Sequence, residues 1–339
     1  MINFVLLALL LIVAVGIMRL QDLFAVTMLL SIYGLMSATF FVAMDAVDVA
    51  FTEASVGAGI STLLLLVVIS FTGRAERKTR HKPYVALFVV TVIGMLLLYG
   101  TSDMPYFGSS DAPIHNHVAP RYINDSMREI GVPNIVTSVL ASYRAFDTFG
   151  EVVVIFTAGI AVLGLLSVSS KALSNSQPLN RPRGLYQQHI VIRIVAKILL
   201  PFIFLFALYV QFHGDFGPGG GFQAGVIFAA AFILYAMTFG LDAATAVVKP
   251  AVIELIAAVG VLLYGSVGIA TLLSGGNFFD YDYLLADPIA GQHLGILLIE
   301  LGVGLTVTCV MVMICFGFSL RRKAHEQKAV MNISERGPK

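Results

Sequence analysis

The stretch GQHLGILLIELGVGLTVTCVMVMICFGF, Gly291 to Phe318, holds one acidic residue, Glu300, and no Lys or Arg. A helix needs about 20 mostly apolar residues to cross a bilayer, so this stretch is long enough to span one. Eight more apolar runs lie upstream, at about 2–18, 22–43, 48–71, 84–100, 136–168, 191–212, 219–240 and 249–273. The runs are continuous rather than alternating, which excludes a membrane β-barrel. Of the 339 residues, 58% are hydrophobic and 12% charged, against roughly 45–50% and 25% in soluble domains. That balance excludes a water-soluble globule of this size. It also excludes disorder, which needs low hydrophobicity and high charge. A formal charge of +1 argues against a nucleic-acid binder, which carries a basic stripe. The expected fold is all-α, a polytopic membrane protein of about nine transmembrane helices.

The charges sort with this count. Basic residues stay on the cytoplasmic side of a membrane. With nine spans, Arg19, Arg74, Arg77, Lys78, Arg80, Lys82, Lys171, Arg181, Arg183, Arg193, Lys197, Lys249 and the tail from Arg321 fall on one side, 18 of 21 basic residues. Only Arg121, Arg128 and Arg144 fall on the other, together with the acidic turns Asp45/Asp48, Asp215 and Asp280/Asp282/Asp287. The N-terminus is therefore expected outside and the C-terminus in the cytoplasm. Met1–Met18 lacks a basic leader and a small-residue cleavage site, so it reads as a retained span and not a signal peptide. Cys309 and Cys315, six apart on one helix, are poorly placed for a disulfide and read as core residues. The charged loop 72–83 and the polar linker 171–190 divide the chain into blocks of three, two and four helices. The outer loop 101–135, rich in Pro, Gly and Asp, reads as an ordered cap.

Four glutamates, Glu53, Glu151, Glu254 and Glu300, lie inside apolar runs. Each would cost about 2.5–3.5 kcal/mol facing lipid, so they are expected to face protein or water. A buried acid that can titrate suits proton transfer; the structural alternative is a protonated Glu bonded to a neighbouring helix. Glu300 lies about 14 Å into its span at 1.5 Å per residue, with His293 two turns away on the same face. Arg144, Asp147 and Glu151 share one helical face, so Arg144 neutralises Asp147 and Glu151 is the deeper acid, or the three simply anchor the helix end. Lys197 either snorkels to the surface or titrates. At the turn after the sixth span, His213-Gly214-Asp215-Phe216-Gly217-Pro218-Gly219-Gly220-Gly221-Phe222-Gln223 combines close-packing glycines with polar groups, His213 and Gln223, that suit an ion route; tight packing alone is the alternative. It lacks the Gly-Lys-Ser/Thr of a phosphate loop. His115 and His117 are too few for a metal site, and no metal or cofactor is expected.

Three segments carry a family resemblance. FTEASVGAGIST, Phe51 to Thr62, resembles the three-helix segment at the C-terminus of the large subunit of Mrp-type cation/proton antiporters (cation/proton antiporter-3 family). That segment also occurs as a small separate subunit, the D-like one, of membrane-bound hydrogenases. FDTFGEVVVI, Phe146 to Ile155, is similar to the next, hydrogenase E-like, two-helix segment. HGDFGPGGGFQAG, His213 to Gly225, with IELGVGLTV, Ile299 to Val307, resembles the B-type subunit of Mrp antiporters. The resemblance divides the chain into modules at 1–73, 82–170 and 185–339. It implies a fused subunit of a complex related to the membrane arm of respiratory complex I. It also implies a π-bulge around Glu53 and Gly57 to Gly59, with Glu53, Glu151 and Glu300 as the family acids. Asp215-Phe216-Gly217 departs from the short polar stretch common in B-type subunits. Antiporter-like subunits carry mid-membrane lysines; here Lys197 and Lys249 lie near span ends, so this chain is not expected to run antiport alone.

The expected role is that of an accessory ion-translocating subunit of a sodium/proton antiporter in the cell membrane, and not an enzyme. Its proton or sodium pathway residues would be Glu53, Asp147, Glu151, Lys197, His213, Glu254, His293 and Glu300, with Glu254 and His293 beside Glu300 on one path and Glu53 and Glu151 on another. Gly57, Gly59, Pro218, Gly219, Gly220, Gly221, Phe222 and Gln223 would serve bending or packing. Expected partners are large complex I-like antiporter subunits, small C-, E-, F- and G-type subunits, sodium, protons and lipid, with no nucleic acid. The alternatives are a membrane-arm subunit of a hydrogenase-like or ferredoxin-linked respiratory complex, and a structural scaffold.

Overall fold

A computed structural model describes residues 1–76, 83–106, 108–166 and 190–334. Arg77, Lys78, Arg80 and Lys82 of the basic loop, and the linker with Lys171, Arg181 and Arg183, lie outside the described residues. Among the described residues the chain is helical and has no strand, and nine helical spans are long and apolar enough to cross a membrane. The first block contains α1 (Ile2–Arg19), α2 (Leu23–Ala43), α3 (Val47–Glu53) and α4 (Ser61–Thr72). The second contains α5 (Pro83–Thr101), the short outer-loop helix α6 (Ala119–Glu129) and α7 (Ala145–Leu166). The third contains α8 (Ile190–His213), α9 (Gly221–Phe239), α10 (Leu241–Val247), α11 (Pro250–Leu273) and α12 (Pro288–Ser334).

Between α3 and α4 the chain never leaves the helix, but Ala54–Ile60 is wound as a π-helix. Such winding leaves backbone carbonyls without their usual partners. Ser31 Oγ donates to the Ala58 carbonyl (3.2 Å) and Thr62 Oγ1 to that of Gly57 (3.4 Å). The missing side chains of Gly34 and Gly57 let α2 come close: a Cβ on Gly34 would lie 2.8 Å from the Gly57 carbonyl carbon, and one on Gly57 3.3 Å from Gly34 Cα. A second π segment, Ser138–Tyr143, precedes α7. The single expected run over 136–168 is therefore broken at Arg144, whose backbone leaves the helical region. Side chains satisfy two carbonyls at the break: Thr148 Oγ1 donates to Leu140 and Tyr264 Oη to Ala145, both at 2.8 Å.

The core sits in the third block and on α7. Buried Ala229, Ile233, Ala257, Tyr264, Ile299, Val307 and Val310 fill it, and small residues let the helices approach. A Cβ on Gly225 would lie 2.8 Å from the Gly304 carbonyl oxygen, and one on Gly302 2.7 Å from that of Gly260. Interfaces of this kind gain van der Waals contact and not burial from water, because lipid is as apolar as leucine. Cys309 and Cys315 are buried free thiols in the same core. The first block meets α9 mainly through the π segment.

The outer loop 101–135 is ordered where described. Glu129 accepts from Arg121 and from Tyr143 (2.5 Å); the tyrosine hydroxyl, ahead of Arg121, holds the Glu129 carboxyl below its usual value. The turn between α1 and α2 meets the end of α4 through an Asp22–Ala75 bridge, with Arg74 over the Phe24 ring at 4.7 Å. Those two connections therefore share one end of the molecule.

Candidate functional site

The three blocks meet at the other end of the α3 span. Asn134, at the end of the outer loop, reaches all of them. Its side-chain amide donates to Asp48 Oδ1 at the start of α3, and to the Gly214 and Gly217 carbonyls of the turn after α8, each at 3.1 Å. Its backbone N–H donates to the Asp215 carbonyl (3.0 Å), and its side-chain oxygen accepts from Val136 N (2.9 Å), capping the turn Ile135–Thr137. Thr137 Oγ1 adds a bond to the Gly214 carbonyl (2.7 Å). Deeper in, Gln223 Nε2 of α9 donates to Thr52 Oγ1 of α3 (2.8 Å).

Below this junction lies a half-open cavity of about 320 Å³. All three blocks line it: Asp48 and Thr52 from α3, Glu151 from α7, and Gln223 and Glu300 from α9 and α12. A water occupies about 30 Å³ in the liquid, so the space holds several. Three carboxylates, Asp48, Glu151 and Glu300, therefore line one volume large enough for several waters. Glu300 sits tightly under the turn: a Cβ on Gly214 would lie 3.1 Å from Glu300 Oε1, and one on Gly220 2.9 Å from it. Gly220 also has φ +109°, a backbone state that L side chains rarely adopt. Among the described residues no hydrogen bond reaches the Glu300 carboxylate.

The other sequence-derived residues fall in different places. His293 Nδ1 lies 3.6 Å from Asp215 Oδ2. His213 is not at the cavity; its ring stacks on Tyr209 with centroids 4.8 Å apart. Glu53 is half-buried, with Oε1 2.8 Å from where a Gly57 Cβ would be. Asp147 is exposed and paired with Arg144 Nε at 2.6 Å. Glu254 is exposed on α11 and does not line the cavity with Glu300. Lys197 is exposed, its ammonium 6.0 Å from the Phe239 ring centroid. Gly59 makes only ordinary contact, 3.6 Å from its Cβ position to the Ala54 carbonyl oxygen. Pro218 and Gly219 sit in the turn before α9, which begins at Gly221 and not at the proline. Phe222 lines the cavity. Glu151 and Glu300, expected on separate paths, share one cavity. Asp48 and Asn134 were not singled out as site residues. The two are 86 residues apart in the chain, a pairing that no local pattern carries.

This architecture defines a polytopic membrane protein of nine spans among the described residues, with a carboxylate-lined cavity where its three blocks meet. A family described as a domain related to the MnhB subunit of Na+/H+ antiporters matches residues 191–313. The D and E subunit families of MBH match residues 8–74 and 87–178, respectively. The putative antiporter subunit mnhB2 of Staphylococcus aureus (strain Newman) is 32% identical over 136 residues, 39% of this chain and 96% of that one. A probable K(+)/H(+) antiporter A/B subunit of Rhizobium meliloti (strain 1021) is 23% identical over 61% of this chain. The match spans 23% of the length of that relative. Among solved structures, the Mrp complex from Dietzia sp. DQ12-45-1b is similar over 93% of this chain and 34% of the matched one, with TM-score 0.74 and 26% identity. The archaeal membrane-bound sulfane sulfur reductase (MBS) is similar over 70% of this chain and 97% of the matched one, with TM-score 0.51 and 27% identity. The chain belongs to the MnhB-related family of Mrp-type antiporter subunits, carrying that domain fused to MBH D- and E-like segments.

Proposed function

We propose that this chain is an accessory ion-translocating subunit of a multi-subunit Mrp-type sodium/proton antiporter in the cell membrane, acting without covalent catalysis. The observation that carries this reading is the cavity with Asp48, Glu151, Gln223 and Glu300 drawn from all three blocks. Carboxylates in a confined hydrated space can hold a monovalent cation or a proton in exchange. Glu300 and Glu151 are the acids of this route. Glu53, beside the π segment, acts on it from the first block. The modules 1–73, 82–170 and 185–339 are the units of the fusion, a division supported by the positions of the three family matches. Large complex I-like subunits and small C-, E-, F- and G-type subunits complete the transporter, with sodium and protons as its substrates. The test is Glu300→Gln and Glu53→Ala in the assembled complex, with sodium-driven pH change followed in vesicles. Both variants are expected to assemble and to lose most antiport; wild-type rates at both sites would sink the reading.

A second reading rests on the likeness to the sulfane sulfur reductase: the same subunit could serve a redox-driven membrane arm. Purification of the native complex distinguishes the two. Iron–sulfur subunits travelling with this chain favour the second, and a fully active complex without them excludes it.

A further inference from the structure

His293 and Glu300 are seven residues apart on α12, about 10 Å along the axis at 1.5 Å per residue. Proton transfer needs partners within about 2.6–3.2 Å, or one water between them. The pair cannot exchange a proton unaided, and a carboxylate from another element approaches the imidazole. Asp215 stands in the turn between α8 and α9, with Oδ2 3.6 Å from His293 Nδ1. Its neighbour Gly214 lies against the Glu300 carboxylate, where a Cβ would sit 3.1 Å from Glu300 Oε1, so Asp215 is one residue from that contact. The turn is held in place: Asn134 N–H donates to the Asp215 carbonyl, while Thr137 and the Asn134 amide donate to that of Gly214. Exposure falls inward along the pair, from 41% for the His293 side chain to 26% for Asp215.

We infer that Asp215 is the proton-transfer residue linking the partly exposed His293 to Glu300 at the cavity. This rests on the role of Glu300 in the proposed function. The imidazole takes a proton from hydronium at Nε2, leaving water, and gives up the one on Nδ1. As the two side chains close from 3.6 Å to hydrogen-bond distance, that N–H bond breaks and an O–H bond forms on Asp215 Oδ2. Asp215 then releases its proton to the Glu300 carboxylate and returns to the anion. Exchange with water then moves the imidazole proton from Nε2 back to Nδ1 and resets the relay. The groups around the pair are the Gly131 backbone beside the imidazole, the Gln292 amide tied to Asp282 and Ser142, and His213, which is stacked on Tyr209.

The experiment uses the purified full complex in proteoliposomes, with initial rates of sodium uptake driven by a pH gradient, in H2O and in D2O. Asp215→Asn is expected to slow uptake about 100-fold, the scale of one lost acid–base group, and to raise the solvent isotope effect above that of the wild type. Asp215→Glu restores the rate. His293→Gln gives the same signature without altering the turn, so the inference stays testable if Asp215→Asn fails to assemble. The double variant is no slower than the slower single one. An Asp215→Asn complex at wild-type rate, a slow one with an unchanged isotope effect, or an Asp215→Glu complex as slow as Asp215→Asn overturns the inference. Glu300→Gln in the same assay separates it from its parent: a silent Glu300→Gln sinks the proposed function, whereas a slow one beside a silent Asp215→Asn sinks only the relay.

Discussion

At Gly221 the α9 backbone rests directly on α12, and a Cβ there would overlap the carbonyl oxygen of Glu300. Both groups are backbone-bound, so neither can swing aside as a side-chain tip would. Overpacking a tight site costs about 1–3 kcal/mol, and here it would also displace the helix that carries the cavity acid. Gly94 of α5 is the internal control, since nothing lies within 4 Å of its Cβ position. Alanine there gains the helix preference over glycine, about 0.5–1 kcal/mol. In the detergent-solubilised protein, Gly221→Ala is expected to lower the thermal midpoint and Gly94→Ala to leave it level or raise it. Equal effects would show that the α9–α12 contact is looser than it stands in the structure.

At the scale of elements, the junction depends on one short segment, Asn134 to Thr137, that bonds the start of α3 and the turn before α9 together. Removing the Asn134 side chain leaves the Asp48 carboxylate and two turn carbonyls without their shared donor. Leaving buried acceptors unpaired costs about 1–3 kcal/mol. Asn134→Ala is therefore expected to destabilise the protein by that order, and Asn134→Asp by more, because a carboxylate would face three acceptors. Thermal unfolding of the two variants checks the ranking; Asp equal to Ala would mean that the amide hydrogens contribute little. Several span limits were readable in the sequence because long apolar runs end at Pro, Gly or charge, as at Gly240. The Ala54–Ile60 winding was signalled only by family likeness. The Ser138–Tyr143 winding carried no signal, since that stretch reads as an ordinary apolar run. Glu151 and Glu300 stood out as charges in apolar surroundings. Their meeting in one cavity did not, because it depends on how blocks distant in the chain pack against one another.

At the scale of the molecule, the apolar surface is mostly outward. Leu98 of α5 is 73% exposed and Tyr84 83%, exposure that only lipid or neighbouring subunits can satisfy. With the nine spans found among the described residues, the two termini are expected on opposite sides, and 18 of 21 basic residues then fall with the C-terminus, the side that the positive-inside tendency predicts to be cytoplasmic. Two features of the structure agree with that division. The α1–α2 turn and the end of α4, both assigned to the basic side, meet each other. Asp48, Asn134 and the turn at Asp215, all assigned to the acidic side, also meet. Orientation can be measured with a membrane-impermeant maleimide, because the native thiols, Cys309 and Cys315, are buried and give little background. A cysteine replacing exposed Ser110 in the outer loop is expected to label in intact cells, while one replacing Ser334 labels only after the membrane is opened. Labelling of both in intact cells, or of Ser334→Cys alone, would overturn the assignment and reverse the side from which His293 and Asp215 meet water.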